Sequence, residues 1–457
     1  MLDVAVIGGG ISGLMAAERL TTASPALKVA VFEKGRALAD RYCPVVERGQ
    51  ACAHCSPCAI MEGEAGAGAF SDGKYVISTE YGGWLTDILP QNVVMDYIEQ
   101  ADAILCSYGA PTDRFMPDDE LKTMCIRHDL HMQQGQLKHL GTDNNLATMG
   151  RLIASLSERA DIRRETAVTN VDKDAMELTY STKGGPPRTE KAKHILFAVG
   201  RSGSEFFQQW CRDNGLPLHN NQIDIGVRVE LPSLIWEHFS KRVYEPKIWY
   251  RSKLYGDITR MFCFNERGYV VTENTGGILT VNGHAYKSLS RKSENSNFAL
   301  LSTLRFTQPF SEPIRYAKNI ATLANQLSGG GVLVQRLGDL EAGRRSNEQR
   351  IKSSTTRPTL NAVPGDLSLC LPKRQLDNII ETLHALESVA PGTANHDVLL
   401  YGIECKYYSS RPACNDFELD GCPNIYTAGD GSGFTRSLSH AAANGLYVGD
   451  KLIARLR

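Results

Sequence analysis

Apolar residues run almost unbroken from Asp3 to Ile7, and a glycine-rich turn follows. Apolar positions then recur at helical spacing from about Ser12 to Leu20, and a second short apolar run spans Lys28–Phe32. This order predicts a strand, a helix and a second, buried strand. Residues 41–75 are rich in Cys, Gly and Ala with little periodicity, and read as an ordered functional loop. Helical periodicity returns at Val93–Tyr108 and Asn145–Arg159, and strand patterns at Glu165–Val171, Met176–Tyr180 and His194–Val199. From about residue 220 the texture changes to Ile223–Leu231, Ile258–Phe264, Tyr269–Glu273, Gly277–Val281 and Phe298–Phe306, which read as a mixed or antiparallel sheet. Helices are expected at Ile314–Leu327 and Lys373–Val389, strands at Val398–Tyr401 and Asn424–Tyr426, and a closing helix near His440–Arg457. The Pro/Thr/Ser-rich stretch Ser353–Pro364 is the expected flexible loop.

The turn after the first strand, Gly8-Gly9-Gly10-Ile11-Ser12-Gly13, fits G-x-G-x-x-G. Gly8 permits the tight turn, Gly10 lets backbone approach a pyrophosphate, and Gly13 lets the helix pack on the strand. The helix N-terminus, with Ser12 in its first turn, offers N–H groups and a positive dipole end to phosphates. Glu33 follows Gly13 by twenty residues, at the end of the second strand, where an acid can accept hydrogen bonds from ribose hydroxyls. Lys34 and Arg41 are further candidate cofactor contacts. The alternative is a plain glycine-rich turn with Glu33 a surface acid.

The fingerprint does not separate FAD from NAD. Ile425-Tyr426-Thr427-Ala428-Gly429-Asp430-Gly431 resembles the distal motif of glutathione-reductase-type flavoproteins. That resemblance implies that Asp430, after Gly429, approaches the ribityl and pyrophosphate region of FAD, and that the helix beyond Gly433 points at the flavin. Ile195–Gly200 resembles the hydrophobic-run-then-Gly motif of the same fold, and Glu165–Val168 the strand whose Val168 backbone meets adenine. Glu64–Lys74, including Gly66, Gly68 and Ala69, resembles the signature of a little-characterised family of FAD-dependent dehydrogenases. So do Asp224–Glu230, Asn282-Gly283, Asn297–Leu301 and Gly429–Arg436, which contains Phe434. The resemblance runs nearly end to end and implies fold and cofactor more than substrate.

Composition then narrows the rest. Lys and Arg number 50 against 51 Asp and Glu, a net charge of −1, so nothing global points to nucleic acid or a membrane surface. No apolar run reaches the roughly 18–20 residues of a spanning helix. With no signal peptide apparent, a cytoplasmic protein is expected. Of twelve cysteines, four fall at Cys43, Cys52, Cys55 and Cys58. C-x2-C-x2-C is how ferredoxin-type loops hold an iron–sulfur cluster, with Cys43-Pro44 or Cys422-Pro423 as a possible fourth thiolate. Zinc with His54, a redox dithiol, and packed free thiols remain alternatives.

Lys74 is a candidate cation near flavin N1, and His440 a candidate for proton transfer, although turn, capping or packing roles serve equally well. Arg228 shares a strand with Val227 and Val229 and faces the other way, toward a cleft or solvent. Arg344, Arg345, Arg350, Lys352 and Arg357 form a basic stretch that either recruits an anion or is simply solvated. The expected fold class is α/β: a discontinuous Rossmann-like FAD-binding domain (1–78, 139–215 and 395–457), a mainly helical insert (79–138) and an inserted mixed-sheet substrate domain (216–394). The expected reaction is hydride transfer between flavin N5 and a small organic substrate at the domain interface, with electrons also able to pass through a Cys-bound cluster. NAD(P)H or an electron-carrier protein are the candidate partners, since no second fingerprint is present. A flavin monooxygenase or halogenase, and an electron-transfer flavoprotein without its own substrate, are the alternatives.

Overall fold

The computed structural model describes residues 1–44, 55–275, 277–286, 290, 292–307 and 309–457. It resolves into two compact units, 1–115 with 135–221 and 408–457, and 116–134 with 222–407.

The first unit is organised by the parallel strands Ile425–Thr427, Arg188–Phe197, Leu2–Ile7, Val29–Phe32 and Asp161–Arg163, neighbours in that order. Val4, Ala5 and Val6 are fully buried, so the central strand is covered on both faces, as a parallel sheet requires. The expected β-α-β unit is therefore present, with its helix at Ile11–Ala23. Arg188–Phe197 is longer than its apolar stretch suggests. Its polar first half alternates on an exposed ribbon against Glu177–Thr182, where no hydrophobic signal exists.

The sequence sets residues 79–138 apart as a mainly helical insert, and the helix expected there at Val93–Tyr108 spans Gln91–Ser107. The structure instead packs its stripe of Val94, Ile98, Ala101 and Leu105 into the core of the first unit. Tyr97 meets Tyr447 of the closing helix Leu438–Leu456 edge-on at 5.2 Å, and its hydroxyl donates to Asp450 at 2.9 Å. Residues 116–134 go with the second unit because Leu130–Met132 pairs with Ile248–Arg251. Residues 395–407 do likewise because Leu399–Lys406 pairs with Ile223–Pro232.

The second unit contains an eight-stranded sheet, with Ile223–Pro232 between Asn295–Leu304 and Leu399–Lys406. Alternation along Ile223–Pro232 sends Ile225, Val227, Val229 and Leu231 into an apolar core shared with helices Pro313–Leu327 and Lys373–Glu387. The other face is not solvent. Arg228 is fully buried and clasps Glu404 through two hydrogen bonds of 2.8 Å. It also donates to Cys263 O, Asn282 and Asn297. One register step along, buried Glu230 accepts from Tyr401, Asn295 and Thr359, and desolvation pushes its carboxyl above the usual range. Thr359 and Ser354 also tie down the segment expected to be flexible, the latter by donating to Asp397 O. The basic stretch is partly neutralised: Arg344 and Arg350 converge on buried Asp339, and Lys352 on Glu348.

Among the described residues no helix is long and apolar enough to cross a membrane. Removing Arg228 leaves buried Glu404 with Lys406, at 3.0 Å, as its remaining cation and takes the guanidinium donors from Asn282 and Asn297. Arg228→Met should therefore lower unfolding free energy by about 3–5 kcal/mol in urea melts. A loss below about 1 kcal/mol would show that Glu404 is compensated elsewhere.

Candidate cofactor site

The glycine-rich turn is closed by contacts only glycine permits. Gly8 has φ +110°, and a β-carbon there would lie 2.3 Å from Ala198 O. One on Gly13 would lie 2.1 Å from Gly8 O, so the helix begins hard against the strand. Gly10 is different: among the described residues, a β-carbon on it would find only Gly66 Cα, at 3.9 Å. Among the described residues, the backbone at Gly10 is thus open at the start of the helix. Buried Glu33 fixes the turn from below, accepting from Gly9 N at 2.8 Å and from Gly35 N at 2.7 Å.

The Gly66–Gly68 loop is laid on this turn. Ala65 N donates to Gly9 O, and Gly66 lies against Gly10. Arg41, expected to touch the cofactor, spends four hydrogen bonds on the carbonyls of Ala59, Ile60, Glu64 and Gly66. Desolvation lowers its guanidinium pKa to about 10. Lys34 is ion-paired with Glu62. Asn145, fully buried, donates to Gly68 O and Ala69 O and accepts from Tyr75.

The distal motif arrives beside the same turn. A β-carbon on Gly429 would stand 3.0 Å from Ser12 Cβ and 3.2 Å from Ser12 Oγ. Gly429 N donates to Asn444 Oδ1 at 2.8 Å. Ser12 Oγ is buried and, among the described residues, has no hydrogen-bond partner. A buried hydroxyl left unpaired is costly unless a ligand satisfies it. Asp430 accepts from Thr435 Oγ1 at 2.6 Å, with Arg201 at 4.0 Å. Burial raises the Asp430 carboxyl pKa, against the opposing pull of Arg201 and Thr435. Gly200 abuts Gly431, and a β-carbon on Gly200 would meet nothing within 4 Å. Open backbone at Gly10 and Gly200 and the orphaned Ser12 hydroxyl fit a dinucleotide pyrophosphate.

Other expected residues lie around this cradle. Val168 sits on a strand, Thr166–Asp172, whose first residue donates to Glu33 O. Lys74 is ion-paired with Asp72 at 3.2 Å. Phe434 is buried edge-on against Phe417. His440 is buried beneath Gly82 and Gly83, its Nε2 donating to Ser78 O at 2.8 Å. Desolvation lowers its pKa to about 4, so it is neutral at neutral pH.

Cys43, Cys55 and Cys58 are free thiols; Cys52 and His54 lie outside the described residues. Among the described residues no group of three His, Cys, Asp or Glu side chains is placed to hold a metal ion, so neither cluster nor zinc has geometric support. The sequence reading missed Asn145 and Asn444. Their one signal is an amide set among apolar helical positions, as in Ala441-Ala442-Ala443-Asn444-Gly445.

Residues 6–42 match the NAD(P)-binding Rossmann-like domain, and residues 223–407 match the family described as FAD-dependent protein, C-terminal domain-like. An uncharacterized protein of Clostridium beijerinckii is 25% identical over 98% of this chain and 80% of its own length. Among solved structures, glycine oxidase from Geobacillus kaustophilus is 13% identical, covering 99% of this chain and 95% of its own, with a TM-score of 0.40. L-proline dehydrogenase from P. horikoshii is 12% identical, covering 100% and 94%, with a TM-score of 0.41. Similarity at this level carries no information about substrate or reaction.

The buried, neutral His440 makes stability depend on pH. Its folded pKa of about 4 lies below the ordinary 6.5, so the unfolded chain binds the proton more readily. Its contribution is complete above pH 6.5 and drains away as pH falls toward 4. Between pH 6.5 and 4.5 the wild type should lose about 2–3 kcal/mol more than His440→Gln in urea melts. Parallel pH curves for the two would show that His440 takes up its proton as readily in the fold as in the unfolded chain.

Proposed function

We propose that this chain is an FAD-dependent oxidoreductase with a flavin site of the glutathione-reductase type, moving a hydride between flavin N5 and a small organic substrate. The observation carrying the reading is the unpaired Ser12 hydroxyl, buried where Gly429 meets the fingerprint helix. FAD, when bound, supplies a hydride acceptor that protein side chains lack.

The chain's own residues bind and orient. The helix N-terminus at Ile11–Gly13 and the Ser12 hydroxyl would hold the pyrophosphate, while Glu33 keeps its carboxylate on Gly9 and Gly35. Asn444 sets the Gly429 backbone, which positions Asp430 for the ribityl chain. Asn145 holds the Gly68–Ala69 carbonyls in place. No step is assigned to the cysteine loop.

Two glycines separate fold from cofactor. Gly8→Ala should impair folding, because its β-carbon meets Ala198 O. Gly10→Ala should fold normally yet bind FAD at least about tenfold more weakly, since its methyl enters space left open in the chain. Equal FAD affinity in Gly10→Ala would remove the pyrophosphate from this turn. For the reaction itself, the FAD-loaded protein is mixed without oxygen with amino acids, hydroxy acids, NADH and NADPH. Bleaching of the flavin by one of them, slowed by deuterium at its oxidised carbon, is expected. Exchange with a one-electron carrier alone would contradict hydride transfer.

A further inference from the structure

Beside the cradle, within the first unit, stands a cluster that the cofactor does not account for. Gly82-Gly83-Trp84 docks antiparallel on Phe434–Arg436: Trp84 N donates to Phe434 O at 2.8 Å, and Arg436 N to Gly82 O at 2.9 Å. The approach demands glycine. A β-carbon on Gly82 would lie 2.6 Å from the His440 ring, and one on Gly83 would lie 2.7 Å from Phe434 O. The buried imidazole of His440 is thus the floor that sets the height of this turn.

The turn delivers the Trp84 indole between two guanidiniums, Arg411 at 4.9 Å and Arg436 at 5.2 Å. Tyr408 closes the group, edge-on to Trp84 at 5.1 Å and under Arg436 at 5.5 Å. The two cations are not equivalent. Arg411 is engaged by Asp87 at 2.7 Å and by Asn221 Oδ1 at 2.8 Å. Arg436 donates to Tyr408 OH at 3.2 Å, and among the described residues it has no carboxylate within ion-pair distance. Asp430, close enough to feel its charge, is engaged by Thr435 and faces Arg201.

We propose that Arg436, steadied over Trp84 and Tyr408, binds the carboxylate of a small organic acid that is the substrate. A guanidinium presents a planar fork matched to a carboxylate, and a cation with no ion-paired carboxylate among the described residues matches a monoanionic group. The two aromatic rings offer apolar walls to the carbon skeleton. Arg436 lies six residues beyond Asp430, the residue assigned to the ribityl chain, so the acid would be held beside the flavin. The inference rests on the FAD oxidoreductase reading and adds a substrate class to it.

The test titrates FAD-loaded protein with propionate, benzoate and succinate, each against its own amide and against inorganic phosphate. Flavin absorbance and tryptophan fluorescence are followed together. At least one acid should give a saturable change that its amide and phosphate do not. Arg436→Gln should weaken that binding at least about tenfold with flavin content and melting temperature unchanged, and Arg436→Lys should recover part of it. Four results would overturn the proposal: no saturable acid, an amide or phosphate binding as well, an unchanged Kd in Arg436→Gln, or loss of FAD from that variant, which would make Arg436 a cofactor anchor. If the protein holds no flavin, the oxidoreductase reading fails separately, while tryptophan fluorescence still reports on Arg436.

Discussion

Two helices from opposite ends of the sequence meet backbone to backbone, and the cofactor cradle follows from that contact. A β-carbon on Gly445 would lie 2.1 Å from Ser12 O, and one on Gly449 would lie 3.1 Å from the Arg19 side chain and 3.3 Å from Ala16 O. Ile11–Ala23 and Leu438–Leu456 can lie this close only because the closing helix is small where they touch. The contact carries Asn444 with it, and Asn444 holds Gly429 against Ser12. The fingerprint at the start of the chain and the Ala-Gly-Asp turn near its end are therefore one site, built through packing rather than through sequence proximity.

Charge is handled differently in the two units. In the first, among the described residues, polar groups near the cradle are without protein partners: the Ser12 hydroxyl has no hydrogen bond, and Arg436 has no ion-paired carboxylate. In the second, buried charge is matched internally, with Arg228 on Glu404 and Glu230 under three donors. Arg228 and Arg436 both lie in stretches that prompted the family resemblance, yet the balance of partners gives them opposite roles.

Legibility in the sequence followed the same division. The β-α-β unit could be read because its strands are short unbroken apolar runs flanked by glycine. Gly8, Gly13 and Glu33 could be read because their spacing is dictated by geometry. Gln91–Ser107 was recognisable as a helix but not as part of the first unit, since an apolar stripe does not say which core it enters. Arg228 could be put on the face opposite Val227, but that Glu404 lay across from it depended on a strand pairing 176 residues away. Arg41 stood at a plausible distance from the fingerprint, and only the folded loop reveals its donors turned to carbonyls. Trp84, Tyr408 and Arg411 carried no signal, because three distant segments assemble that cluster.

The central claim is that the first and last segments of the chain form a single FAD site. It is tested most directly by releasing and identifying the nucleotide from protein purified without added cofactor, then titrating the stripped protein with FAD, FMN and NAD. The account predicts one FAD per chain, displaced by neither FMN nor NAD. Saturation by NAD or FMN in place of FAD, or no bound nucleotide with any of the three, would contradict it.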